Sequence, residues 1–194
     1  MLQHLVILEC VCFVLSISSF QIDKRTDLLA LLLVLMTVFS IYKTISYGQL
    51  LMSPQIKLSP ALLNTTEGML ECLHDYYPIV DTEGLKQCVI ESNIYNVSKG
   101  RIPYLMNIPV AFVVVNLFEK EVFVVNDYYS KQSDINQALI LIHECSHLVL
   151  STVDYAYRWQ PEFELLDDVQ HEKNADSYVD LIINNCLSDI DVAF

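Results

Sequence analysis

The residues whose types and spacing could most clearly carry out a reaction are His143-Glu144-Cys145-Ser146-His147. They form the pattern His-Glu-x-x-His, with the glutamate between two histidines. On a helix, residues four apart lie on one face, so His143 and His147 can present two imidazole nitrogens to one metal ion. Two histidines and a third protein ligand leave one zinc position open for water, and Glu144 stands beside it as a general base. The pattern therefore predicts zinc-dependent hydrolysis of peptide bonds.

The residues around this motif predict the helix that carries it. Apolar residues before and after the motif provide the surface that a buried helix needs. Ser133 followed by Asp134 offers a helix start with a negative charge in the first turn. We therefore expect a helix from about Ser133 to Leu150, and another from about Asp168 to Asn185.

Further elements are predicted upstream of the motif. Helical stretches are expected around 62–77 and 82–90, separated by Pro78. Two runs rich in β-branched residues, 110–116 and 121–125, predict a hairpin in a small sheet. The predicted fold class is therefore α+β, with a small β-sheet and the HExxH helix in one domain over residues 61–194.

Charge and cysteine usage limit the possible partners. The formal net charge is −13, and almost all of it arises after Leu58. This argues against a nucleic-acid partner and is compatible with a peptide or protein substrate, including a basic one. None of the six cysteines has zinc-finger spacing, and on a helix Cys145 points away from the metal face, so we interpret it as a packing residue.

The first fifty residues hold most of the hydrophobic excess. Two apolar runs, 1–20 and 28–42, are each near the short end of the ~17–25 residues that span a bilayer. The polar link between them is short, which predicts a transmembrane helical hairpin over 1–47, followed by a linker over 48–60. A signal peptide and buried soluble helices are the alternatives.

The basic residues near this predicted anchor bear on its orientation. Lys24 and Arg25 lie in the link, and the tendency of positive charges to stay inside would keep that link in the cytoplasm. We therefore expect a membrane-anchored protein whose catalytic domain lies on the extracytoplasmic side.

A zinc hydrolase needs a third protein ligand, and the sequence offers several side chains. Asp154 stands seven residues after His147. Glu172 stands at the start of the helix predicted after the motif, where it and the neighbouring His171 would make a site with a glutamate ligand. Asp176 is the last candidate.

Other motifs follow HExxH in a recognisable order. Thr152, Asp154 and Tyr157 follow it closely, and Asn174-Ala175-Asp176-Ser177-Tyr178 comes later. In this the chain resembles the aspzincins, the metallopeptidase family of deuterolysin and the fungal peptidyl-lysine endopeptidases. That family joins HExxH to a Gly-Thr segment with an aspartate ligand, a tyrosine three residues later and then a glycine. The similarity covers roughly residues 110–185.

The resemblance implies a zincin-like fold and a role for each matching residue. One zinc ion would be held by His143, His147 and Asp154. Glu144 would be the general base, and the Tyr157 hydroxyl would donate to the developing oxyanion. Asp176 is interpreted as a residue behind the ligands that orients a histidine through its outer ring nitrogen, with a helix-surface carboxylate as the alternative.

The chain departs from the family pattern at two glycines. Ser151 replaces the glycine before Thr152, and Arg158 replaces the one after Tyr157. Glycines at turns usually serve backbone conformations that other residues adopt at a cost. These departures motivate an alternative function, a non-catalytic membrane-tethered binding module on a degenerate metallopeptidase fold.

Overall fold

A computed structural model of the chain describes residues 24–98, 110–113 and 121–187. The chain divides into two compact units, Met1–Met52 and Ser53–Phe194. Within the described part of the first unit, helix α1 covers Lys24–Leu51.

The predicted transmembrane hairpin is wrong. None of the helices that the structure describes combines the length and the apolar character needed to cross a bilayer. The apolar run from Leu28 to Tyr42 has only fifteen residues and is followed by Lys43, whereas a span needs roughly 20. Helix α1 also begins at Lys24, so part of the predicted polar link is helical. The other apolar run, 1–20, lies outside the described residues.

The predicted localisation depended on that hairpin and is corrected with it. Without a membrane span among the described helices, the structure gives no support for a membrane anchor or for placing the domain on its extracytoplasmic side.

The second unit contains the remaining helices and all the strands that the structure describes. The helices are α2 (Pro60–Tyr76), α3 (Thr82–Glu91), α4 (Asn126–Tyr129), α5 (Asp134–Val149), α6 (Asp168–Lys173) and α7 (Ala175–Cys186). A 3₁₀ helix covers Pro161–Leu165. The strands are β1 (Asn93–Val97), β2 (Ala111–Val113) and β3 (Glu121–Val125).

The sheet is small and mixed, with strand order β1-β3-β2. Strand β3 is central: it pairs in parallel with β1 and antiparallel with β2, and every residue in it is buried. Phe123 of β3 stacks between Tyr95 and Phe112, at ring-centroid distances of 5.2 and 5.1 Å. On the outer edge of β1, the Asn96 amide donates to the Pro54 carbonyl at 2.8 Å. The unit is thus α+β.

Helix α5 is the centre of the helical layer. It packs against α2, α3 and α7 and against strand β2. Leu139, Leu141 and Ile142 of α5 are fully buried in the hydrophobic core, together with Cys145. A disulfide between Cys72 and Cys186 joins α2 to the last residue of α7. The helix that carries the HExxH motif is therefore held on several sides.

The predicted helix over 168–185 is interrupted. Asn174 separates α6 from α7 and has an extended backbone, with φ −95° and ψ 124°. Its neighbours pair with the chain after α5: the Val153 amide donates to the Lys173 carbonyl at 2.8 Å, and the Ala175 amide donates to the Val153 carbonyl at 3.1 Å. This break brings the start of α7 next to the end of α5.

Candidate metal centre

Helix α5 presents the three residues of the HExxH motif. Its N-terminus is capped by Ser133, whose hydroxyl accepts a hydrogen bond from the Asn136 amide at 3.2 Å. In the last two turns His143 and Glu144 are buried, and the side chain of His147 retains 13 % of its exposure. The local sequence thus places two imidazoles and a carboxylate at the end of a buried helix.

The chain reverses direction immediately after α5. Leu150 caps the helix, and Ser151 follows with φ 57°, the one left-handed non-glycine residue in the described ranges. This is the position where the aspzincin pattern has a glycine, which adopts such a φ without the steric penalty of a Cβ. Arg158, at the second departure from the pattern, has no such φ. Serine in place of the first glycine of the pattern therefore carries a backbone cost, whereas arginine in place of the second glycine does not.

The reversal brings Asp154 onto the two histidines. Its Oδ1 lies 3.1 Å from His143 Nε2 and 3.4 Å from His147 Nε2. Two ligand atoms each about 2.0–2.1 Å from a tetrahedral zinc ion are roughly 3.3 Å apart. Within the described residues these three side chains form the one group able to hold a metal ion, with ligand atoms all within 4.8 Å of one another. The donor set of two imidazoles and a carboxylate fits zinc.

The outer ring nitrogen of each histidine faces a hydrogen-bond acceptor. His147 Nδ1 lies 2.9 Å from the Thr152 carbonyl oxygen, and His143 Nδ1 lies 3.3 Å from Asp176 Oδ1. Carbonyl and carboxylate oxygens only accept, so both Nδ1 atoms carry the proton in these contacts. In a neutral ring this leaves the Nε2 lone pair directed toward Asp154, which is the tautomer that a metal ligand needs.

A second hydrogen bond network ties the turn to the helix. The Ser146 hydroxyl donates to the His143 carbonyl at 2.7 Å and lies 2.7 Å from the Thr152 hydroxyl. Because the hydroxyl proton of Ser146 is already donated to the His143 carbonyl, the Thr152 hydroxyl donates in the contact between the two hydroxyls. Both side chains are buried, so the residue that orients His147 is itself fixed.

Tyr157 links the candidate ligands to an exposed aromatic surface. Its hydroxyl donates to Asp154 Oδ2 at 3.2 Å, and its ring lies parallel to that of His143 with centroids 6.0 Å apart. Trp159 stacks on Tyr157 with ring centroids 4.7 Å apart and is 63 % exposed. The tyrosine hydroxyl is thus held beside the carboxylate at the edge of the site.

The charges of the site shift the pKa values of its groups. Burial raises the pKa of Glu144 to about 7, against the opposing effect of the two imidazoles. Burial alone would lower the pKa of His143, but hydrogen bonds to Asp154 and Asp176 raise it to about 10. Partial burial would raise the pKa of Asp154, but its contacts with both histidines hold it well below its usual range.

The pKa of Tyr157 is shifted in the opposite direction from that of Asp154. Burial and the negative charge of Asp154 raise its pKa above its usual range. Its hydroxyl therefore remains protonated and available as a donor at neutral pH.

Two of the remaining candidates from the sequence, His171 and Glu172, lie apart from this group. His171 faces Ser177, with its Nδ1 3.0 Å from the serine hydroxyl, and packs edge-on against Phe163. Glu172 is exposed, and it does not belong to the metal-binding group found among the described residues. Asp176 is buried and contacts His143 from behind, while its other oxygen accepts from the Arg158 amide.

Two kinds of residue at the candidate site were not predicted from the sequence: buried polar residues and an exposed aromatic residue. Ser146 and the side chain of Asn174 were not assigned a role, although Asn174 lies inside a segment that resembles the aspzincin pattern. Trp159, which stacks on Tyr157, was not predicted to contribute either. The signal for Asn174 was its place in that segment, whereas nothing in the spacing of Ser146 indicates its contact with Thr152.

Comparison of the chain with protein-family models, with curated proteins and with solved structures gave no match. The aspzincin resemblance therefore stays a prediction that depends on the motifs themselves.

Proposed function

We propose that this chain is a zinc-dependent endopeptidase, in which His143, His147 and Asp154 hold one zinc ion. The observation that carries the proposal is the approach of both Nε2 atoms to a single oxygen of Asp154, at 3.1 and 3.4 Å. These two distances match the roughly 3.3 Å that separates neighbouring ligand atoms around a tetrahedral zinc ion.

The contacts behind the ligands support the same proposal. Histidines that bind zinc usually donate the other ring N–H to a carboxylate or a backbone carbonyl. His143 has the first kind of partner and His147 the second. A zinc ion held here would lower the pKa of a water molecule in its open position and polarise a substrate carbonyl.

Glu144 is the residue proposed to move the proton. Its carboxylate takes the proton from the attacking water and then passes it to the amine that leaves. In the metal-free chain burial raises the pKa of Glu144, and a carboxylate with a raised pKa is a stronger base. No other role is evident for a carboxylate that is 6 % exposed beside two histidines.

Tyr157 is proposed to stabilise the transition state. Its protonated hydroxyl lies beside Asp154 at the edge of the ligand group, where it can donate to the oxygen that gains negative charge when the carbonyl is attacked. The ring also lies parallel to those of His143 and Trp159, at centroid distances of 6.0 and 4.7 Å. The proposed substrate is a peptide bond in an accessible chain.

Glu144→Gln tests this function in the full chain. The amide keeps the size of the side chain and removes the base, so zinc content should stay while hydrolysis falls by about 10²–10⁴-fold. Activity is measured by mass spectrometry of a digested peptide library, with exposed Glu172→Gln as the matched control. Full activity in Glu144→Gln would refute the mechanism. A zinc-loaded wild type that cleaves nothing in the library would favour the binding-module alternative.

A further inference from the structure

Asn174 is a fully buried polar residue close to the candidate metal centre. It has 0 % exposure and stands between α6 and α7. Its side chain does not cap α7. Instead it reaches the segment between Asp154 and Tyr157, which belongs to no helix or strand.

The Asn174 carboxamide uses both of its ends on that segment. Oδ1 accepts from the Tyr155 amide at 2.9 Å and from the Ala156 amide at 3.3 Å. Nδ2 donates to the Ala156 carbonyl at 2.9 Å and to the Ser177 hydroxyl at 3.2 Å. A single side chain therefore satisfies three backbone groups in the two residues that separate the proposed third ligand from the proposed oxyanion donor.

We infer that Asn174 is a positioning residue, which fixes Asp154 against the two histidines and Tyr157 against Asp154. The inference builds on the proposed zinc site, since it assigns a role toward that site's third ligand. Asp154 itself is exposed, with 39 % of its side-chain exposure remaining. Its backbone is therefore held less by packing than by these hydrogen bonds and by the bridge between Val153 and Asn174.

The chemistry of the position favours asparagine over related side chains. Three of the contacts go to backbone groups, two of them donors and one an acceptor, so the side chain must both accept and donate. Aspartate accepts only, and it would place a negative charge against the Ala156 carbonyl. Alanine would leave these buried and part-buried backbone groups without their partners, which is unfavourable because their hydrogen bonds are not replaced.

The test is the zinc dissociation constant of the full chain, measured by competition with a chromophoric chelator. Wild type, Asn174→Ala, Asp154→Ala and the double variant form a thermodynamic cycle. Asn174→Ala should raise Kd by about 10–100-fold, as loss of support behind a ligand usually does. In the Asp154→Ala background the same change should alter Kd by less than about twofold, because the residue being positioned is gone.

Two further variants separate positioning from general stability. Asn185→Ala removes an asparagine that donates to the Leu181 carbonyl within α7, and it should leave Kd unchanged. If Asn174→Ala does not fold, Asn174→Asp takes its place in the cycle, since it keeps both acceptor contacts, loses the donors and brings a negative charge to the Ala156 carbonyl.

The outcomes distinguish the inference from the function on which it depends. Wild type that folds and binds no zinc would remove the proposed site and the inference together. Wild type that binds zinc while the Asn174 variants bind it equally well would overturn the inference alone. An equal loss in both backgrounds would also overturn it, because the effect would not pass through Asp154.

Discussion

Ser151→Gly should stabilise the protein, because Ser151 is held at φ 57°. A left-handed conformation costs a residue with a Cβ roughly 1–2 kcal/mol, which glycine avoids. Glycine in turn loses more backbone entropy on folding, about 0.4–1 kcal/mol relative to alanine. The side chain of Ser151 is exposed, so little packing is lost. The net gain in the free energy of unfolding should be about 0.5–1 kcal/mol.

Thermal unfolding of the full chain in the presence of a chelator measures this gain. For a protein of this size the melting temperature should rise by about 1–4 °C. Ser151→Ala is the matched control, because it removes the hydroxyl and keeps the Cβ, and it should stay within about 0.5 kcal/mol of wild type. If Ser151→Gly melts at or below the wild-type temperature, the backbone at this turn is not strained and the reasoning fails.

Two other predictions concern the site. In metal-free protein, the His143 pKa is raised from 6.5 to about 10, which adds stability that is fully present below pH 6.5 and is lost as the pH rises through 10. Urea unfolding across that range should show the free energy of unfolding decline, and His143→Gln should flatten the decline. A free energy of unfolding that rises with pH would contradict the prediction. In a peptide-cleavage assay, Tyr157→Phe should lower kcat/KM by about 10²-fold at unchanged zinc content. Tyr155→Phe is the control and should leave kcat/KM unchanged. Wild-type activity in Tyr157→Phe would exclude the oxyanion role.

The features predicted well from the sequence are local ones. The helix from Ser133 to Leu150 agrees closely with α5, Asp134–Val149, because the cap and the apolar periodicity act within the helix itself. The break at Asn174 was missed, since the residue leaves the helix to bond a segment 18 residues away. Strand β1 was missed as well, and its parallel pairing with β3 is a non-local contact.

In the candidate site, too, the local features could be predicted from the sequence and the non-local ones could not. The spacing of His143 and His147 on one helix face follows from four residues of α-helix. The approach of Asp154 depends on the reversal at Ser151 and on contacts with Asn174, which no short-range pattern encodes. The glycine that the aspzincin pattern has at position 151 was the one sequence signal for that reversal. The predicted membrane hairpin was wrong at its second run, 28–42, whose fifteen residues are fewer than the roughly 20 that a span needs.

Zinc content and zinc affinity of the full chain test the central claim most directly. Wild type should bind one zinc ion, Asp154→Ala should lose most of that affinity, and Glu172→Ala should bind like wild type. Each variant is purified, stripped with a chelator and titrated, with circular dichroism confirming that it is folded. A folded wild type without zinc affinity, or a site that survives Asp154→Ala and fails in Glu172→Ala, would contradict the account.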